Sequence, residues 1–193
     1  MTLNVHRFLP RTKAEGPGVR AAIWVQGCSR HCKGCFAAET WIHEPNMLIS
    51  PQELTEKILS DSETEGITVL GGEPFEQAEP LSELIEKVSD AGRSVIVFTG
   101  NNFDELSRSD DRYIQRIIEL SDVIVDGEYI AEQRDFSRKM VGSRNQRFFF
   151  LTDRYTYDDF PPNTIEARVM PDGKVAFNGM GDFDRLREKM GLL

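Results

Sequence analysis

Three cysteines fall within one eight-residue stretch, in the run Gly27-Cys28-Ser29-Arg30-His31-Cys32-Lys33-Gly34-Cys35-Phe36, and the 193-residue chain has no others. Their spacing is C-x3-C-x2-C. Three thiolates on one short loop can hold three corners of an iron–sulfur cubane, and no fourth cysteine is present for the last corner. An iron with an open position can bind a substrate directly, whereas a site closed by four protein ligands carries electrons or holds structure. The cysteine count therefore points to a catalytic cluster. Two other readings stay open on these residues alone: a zinc site with His31 or His43 as fourth ligand, and three unligated structural cysteines. An odd, clustered set is not a disulfide framework.

The elements that must position this loop are readable around it. Short apolar runs occur at Ala21–Val25, Ile67–Leu70, Ser94–Phe98, Val123–Val125 and Phe148–Leu151. They are continuous rather than alternating, as strands buried on both faces should be. Helical patterns lie between them. Ser50-Pro51-Gln52-Glu53 reads as a capping box with proline at the first helical position, followed by Leu54 and Ile58 on one face. Leu81, Leu84, Ile85 and Val88 follow the i, i+3, i+4, i+7 pattern, with Gly92 at the turn beyond. Ile114, Ile117 and Ile118 mark a third helix, and Phe183, Leu186 and Met190 a terminal one.

Such alternation predicts an α/β fold with a mainly parallel sheet and crossover helices. Between Ile165 and Phe177, the turn Pro171-Asp172-Gly173-Lys174 predicts a small hairpin after the α/β part. The unusual residues sit at strand ends: Gln26-Gly27-Cys28, Gly71-Gly72-Glu73-Pro74, Thr99-Gly100 and Asp126-Gly127. Ligands of parallel α/β folds bind at the carboxyl ends of the strands, so these four segments are expected to meet on one rim.

Bulk composition narrows the partners. The net charge of −9 makes nucleic acid a poor partner, because neutralising phosphates needs a basic patch. Arg138, Lys139, Arg144 and Arg147 form a local basic cluster that reads first as a solvated face and second as a protein-docking surface. No apolar run approaches the length of a membrane span. The opening Met1-Thr2-Leu3-Asn4-Val5-His6-Arg7 lacks the apolar stretch of a secretory signal, so the expected compartment is the cytoplasm. A chain of this length is expected to form one domain, residues 1–193.

The C-x3-C-x2-C loop after a first strand and Gly71-Gly72-Glu73-Pro74 after a second resemble the radical S-adenosylmethionine (SAM) superfamily. Glu15-Gly16-Pro17-Gly18-Val19-Arg20, Gln26-Gly27-Cys28, Gly34-Cys35-Phe36 and Thr40-Trp41 are similar to the activating proteins of glycyl radical enzymes. Phe98-Thr99-Gly100, Val125-Asp126-Gly127 and Gly142-Ser143-Arg144-Asn145-Gln146 bring the likeness closest to the activating proteins of anaerobic (class III) ribonucleotide reductases. The resemblance runs in one order from residue 4 to residue 151, and the remainder is a C-terminal extension. One departure stands out: the family places asparagine after Cys35-Phe36, where this chain has Ala37.

The resemblance implies an incomplete (β/α) barrel carrying one 4Fe–4S cluster on Cys28, Cys32 and Cys35. SAM would chelate the fourth iron and lie against Gly34, Cys35, Phe36, Gly71, Gly72, Glu73, Thr99 and Asp126. Of these, Gly71 and Gly72 leave room for backbone to approach the cofactor, and Glu73 offers a carboxylate to its ammonium group. An electron from reduced flavodoxin or a similar donor would cleave SAM to methionine and a 5′-deoxyadenosyl radical. That radical would take a hydrogen from one glycine of the partner reductase. The alternatives are a radical SAM enzyme acting on another glycyl radical enzyme, a peptide or a small molecule, and a non-catalytic iron–sulfur or zinc protein.

Overall fold

The computed structural model describes residues 1–170, 173, 175–189 and 191. Seven strands form one open sheet, in the order β3-β1-β2-β4-β5-β6-β7. They are β1 (Leu3–Thr12), β2 (Arg20–Val25), β3 (Met47–Ile49), β4 (Gly66–Gly71), β5 (Ser94–Phe98), β6 (Val123–Asp126) and β7 (Arg147–Phe150). The helices are α1 (Pro51–Leu59), α2 (Ala78–Asp90), α3 (Phe103–Leu106) and α4 (Arg112–Leu120). Beyond the sheet, β8 (Ile165–Val169) and β9 (Val175–Gly179) pair antiparallel, and α5 (Phe183–Lys189) follows.

The sheet is parallel only through its centre, β2-β4-β5-β6. β1 and β3 on one side and β7 on the other run antiparallel. The expectation of a mainly parallel sheet therefore holds for the middle and needs correcting at the edges. The reason is in the connections. A parallel return needs a crossover long enough for a helix, which the links within β4-β5-β6 have. Residues 13–19 and 127–146 hold no α-helix, so β2 and β7 return antiparallel.

β1, like the three-residue β3, is a strand that the apolar runs do not reveal. Leu3 and Val5 are buried, but Arg7, Pro10 and Arg11 interrupt the pattern. β3 pairs only with Leu3, Asn4 and Val5, so the rest of β1 is an edge, where a proline costs no ladder bond.

Alternation along the central strands separates two faces. Ala21, Ile23, Val25, Ile67, Val69, Val95, Val97 and Ile124 point to one side. There they meet Leu54 and Ile58 of α1, Leu81, Leu84, Ile85 and Val88 of α2, and Ile117 of α4. The predicted start of α1 holds in one half of the capping box: the Ser50 hydroxyl accepts the Glu53 N–H at 3.1 Å, with Pro51 at the first position. Asp111 caps α4 in the same way.

The opposite face carries Arg20, Thr68 and Ser94 at one end, then Ile96, Val123 and Val125 packed with Met140, Val141 and Phe160. Arg20 is fully buried. It donates to Thr68 Oγ1 at 2.7 Å, Ser94 Oγ at 2.9 Å, Tyr155 Oη at 3.2 Å and the Ile67 carbonyl.

The chain then recrosses this face. Asn163 donates to the carbonyls of Phe136 and Arg138, and β8-β9 lie against β1 at the far side. Glu166 accepts from the Thr12 hydroxyl and the Lys13 N–H, both at 2.8 Å. Arg7 donates to the Phe177 carbonyl at 2.7 Å. Glu15 accepts the Gly179 N–H at 2.6 Å and the Asn178 amide at 3.2 Å. The predicted hairpin is thus present as two paired strands. Its turn residues Pro171, Asp172 and Lys174 lie outside the described residues, as does Met190 of the predicted terminal helix.

Burial pushes the Glu15 carboxyl up to about 7, against the pull of Asn178, Gly179 and Arg7, while Glu166 adds to the rise. A carboxyl raised in the folded state stabilises it fully below its unfolded value and loses that contribution as pH rises through the folded one. On this group's account thermal stability is expected to decline as pH rises from about 4.5 to about 7, and Glu15→Gln to flatten that decline. Melting curves across the range test both.

Candidate functional site

The four strand-end segments do meet. β2 leaves the sheet through Gly27 and β4 through Gly71, both left-handed at φ +101° and +102°. The Gly72 N–H donates to the Val25 carbonyl and the Glu73 N–H to the Gly27 carbonyl, each at 2.8 Å. A Cβ on Gly72 would lie 2.1 Å from the Gly27 oxygen, and one on Gly71 2.7 Å from Trp24 Cα. The glycine pair thus serves the chain's own backbone first. It lets the loop after β4 close on the cysteine loop, besides lining the cavity beneath.

Cys28 is buried, and Cys32 and Cys35 are half-buried. The Cys35 N–H donates to the Cys32 carbonyl at 3.0 Å, which rounds the loop. The Ala37 N–H donates to Cys35 Sγ at 3.4 Å. Burial pushes the Cys28 and Cys35 thiols up; N–H groups of Arg30 and His31 oppose this at Cys28, and Ala37 and Trp41 at Cys35.

His31 stacks on Trp41 with ring centroids 4.8 Å apart. His43 pairs with Glu76 at 2.8 Å, and Glu76 accepts the Ser29 N–H at 2.8 Å. His43 is thus engaged elsewhere, whereas stacking occupies only the ring face of His31. Among the described residues no three Cys, His, Asp or Glu groups converge as around a single ion.

Glu73 is 2% exposed. One oxygen accepts from the Thr99 hydroxyl at 2.7 Å and the Phe75 N–H at 3.1 Å, the other from the Gly100 N–H at 2.9 Å. Arg30 Nε lies 3.7 Å away. Burial raises the carboxyl, and these donors with Arg30 hold it down. Glu73 is therefore a brace between the loops after β4 and β5. Glu73→Gln turns an amide N–H toward this ring of donors, and the expected loss is about 1–3 kcal/mol in urea unfolding.

Thr99 and Cys35 line one cavity with the other two cysteines, Gly34 and Phe36 stand beside it at an adjoining one, and Asp126 turns away. Arg147 bonds both of its oxygens, and its Oδ2 accepts the Phe103 N–H at 2.8 Å. Its place on the rim is taken by Gly127, Glu128 and Tyr129. Gln146 braces this turn, accepting from the Gly142 N–H at 2.9 Å and donating to the Gly127 carbonyl at 3.2 Å.

Arg30 is the residue that motif spacing does not single out. It reaches from the cysteine loop to Asn101 Oδ1 at 2.6 Å and to Glu128 at 3.8 Å, and its buried Nε has no hydrogen-bond partner. Only its position between two ligand-spaced cysteines hinted at it.

A cavity of about 140 Å³ is bounded by all three cysteines, Glu73, Thr99 and Tyr129. Beside it lies one of about 320 Å³ against Trp24, Leu70, Gly71 and Phe98, and a third of about 530 Å³ outside Gly34 and Phe36. Thiols opening on ligand-sized space define an α/β protein suited to an accessible iron–sulfur cluster.

Residues 14–149 match the family described as "4Fe-4S single cluster domain". The chain is 31% identical over 153 residues to the anaerobic ribonucleoside-triphosphate reductase-activating protein of Vibrio cholerae, covering 75% of this chain and 96% of that one. The protein of the same name from Escherichia coli K12 is 27% identical with the same coverage. That of Enterobacteria phage T4 is 29% identical over 159 residues, covering 78% of this chain and 96% of its own. The chain belongs to this family of 4Fe–4S reductase-activating proteins. Among solved structures, QueE from Escherichia coli overlaps 52% of this chain and 53% of its own at 16% identity with a TM-score of 0.41, too slight a likeness to carry weight. Among the described residues no helix is long and apolar enough to cross a membrane.

Proposed function

We propose that this chain is a radical SAM activating enzyme that installs a glycyl radical on an anaerobic ribonucleotide reductase. The observation that carries the reading is the convergence of three thiols with the loops after β4, β5 and β6 on one cavity of about 140 Å³ that adjoins a larger one of about 320 Å³. The residues fit a cluster: they share one loop, a backbone amide already donates to Cys35, and His43 is paired with Glu76. Cys28, Cys32 and Cys35 would hold three irons, and the reading takes the open sheet as an incomplete barrel of the radical SAM type within a single domain, residues 1–193.

Held by Cys28, Cys32 and Cys35, the cluster would supply one-electron reduction of SAM, with reduced flavodoxin or a similar donor as the electron source, and so the oxidising power to take a hydrogen atom from the partner's glycine. Gly71 and Gly72 hold the floor of the SAM site, with Gly34 and Phe36 at its side. Glu73 and Thr99 keep that floor rigid, and the Glu73 carboxylate is the group nearest to hand for an ammonium. The unpartnered Arg30 Nε suits a carboxylate or another oxygen acceptor. Asp126 acts one step back, fixing Arg147 and the start of α3.

The test is anaerobic incubation of the reconstituted protein, SAM and reductant with the organism's own anaerobic ribonucleotide reductase. Electron paramagnetic resonance is expected to show a glycyl radical on the reductase. SAM cleavage without that signal, and with the signal on a different glycyl radical enzyme, would move the partner assignment to the second reading.

A further inference from the structure

The extension packs where the site would otherwise open to solvent. Phe177 of β9 and Phe183 of α5 line both the inner cavity of about 320 Å³ and the outer one of about 530 Å³. With Phe36 and Tyr129 they form the aromatic partition between the two. Phe36 lies 5.2 Å from Tyr129 and 6.5 Å from Phe183, ring centroid to ring centroid. The inner cavity alone reaches Trp24, Leu70 and Phe98 on the sheet, and its size is at the low end of what one small ligand needs, about 300–1,000 Å³. It holds a cofactor or a short peptide segment, not both together.

The attachment of this partition is discrete. β8 and β9 are tied to β1 and the turn after it by hydrogen bonds at Arg7, Thr12, Lys13 and Glu15, and α5 by the Arg134–Asp182 pair at 3.6 Å. Val169, Met170 and Val175, at the far end of the pair, are exposed. The family match ends at residue 149, and the Vibrio cholerae relative accounts for 75% of this chain.

We propose that β8, β9 and α5 are a displaceable cover, held in cis over the open face of the sheet, and that the partner's glycine-bearing segment reaches the inner cavity by lifting it. The proposal rests on the activase reading. Phe177 and Phe183 would narrow access to the cavity until the reductase docks. The cover keeps the radical from solvent when no glycine is present.

Hydrogen exchange on the full-length, cluster-loaded protein tests this directly. The Gly179 amide, bonded to Glu15, is expected to be protected with SAM alone and to lose protection when saturating reductase is added. Retained protection while the glycyl radical forms overturns the proposal. In parallel, Phe183→Ala is expected to lower the reductase concentration for half-maximal radical formation several-fold and to raise the 5′-deoxyadenosine made per radical. Unchanged values, or a higher demand for reductase, also overturn it. If no reductase acquires a radical, the activase reading fails. The cover is then judged on partner-free SAM cleavage, which Phe183→Ala should speed and which equal rates in variant and parent would contradict.

Discussion

Arg20→Ala is expected to destabilise the protein by about 3–5 kcal/mol, a large-to-small core change compounded by acceptors left bare. The guanidinium is fully buried and is the shared donor for Thr68, Ser94, Tyr155 and the Ile67 carbonyl. It therefore ties together β2, β4, β5 and the segment returning from β7. At about 2–4 °C per kcal/mol for a chain of this size, the melting temperature should fall by roughly 6–20 °C. Arg20→Lys keeps the charge but loses the planar fork, and should recover only part of the loss. Urea unfolding of the three proteins checks the order. The arginine of the Gly-Pro-Gly-Val-Arg stretch is thus an anchor of the fold and touches no chemistry.

Gly72→Ala should do the reverse, with a moderate effect on stability and a severe one on activity. Its Cβ would stand 2.1 Å from the Gly27 carbonyl oxygen and 3.0 Å from that of Val25, so the two loops must part. Overpacking of this kind costs about 1–3 kcal/mol. Parting shifts the cysteine loop relative to Glu73 and Thr99, and a displacement of about 1 Å at a reacting site can cost on the order of 100-fold in rate. SAM cleavage is therefore expected to fall about 100-fold while the iron content of the reconstituted protein stays close to the parent's. Gly92→Ala is the control. It is also left-handed, at φ +76°, but a Cβ there meets nothing within 4 Å, so it should cost some stability and no activity.

The parts of the fold visible in the sequence are those built from repeated apolar spacing. The four central strands were legible because both of their faces are covered, and α1, α2 and α4 because one face of each meets the same core. β1 stayed hidden because half of it is an edge whose side chains include arginine and proline. β7 was visible as an apolar run, but its direction was not. Direction depends on what connects two strands, and residues 127–146 hold turns rather than a helix.

The site was legible in its ligands and less so in its walls. Spacing alone isolated Cys28, Cys32 and Cys35, and glycine punctuation isolated Gly71, Gly72 and Thr99-Gly100. Orientation was beyond such signals. Asp126 ends a strand beside the rim, yet its carboxylate faces Arg147, and Tyr129 three residues on meets the cavity instead. Arg30 and Glu15 gain their roles from contacts with residues 71 and 164 positions away, a relation that no local pattern encodes.

The central claim is that the three-cysteine loop carries a cluster that cleaves SAM. The most direct measurement is anaerobic reconstitution with iron and sulfide, followed by reduction, addition of SAM and assay of 5′-deoxyadenosine, with Cys32→Ala beside the parent. The account predicts 5′-deoxyadenosine from the parent and none from the variant. A parent that assembles a stable cluster but neither binds nor cleaves SAM would contradict it and leave an electron carrier in its place.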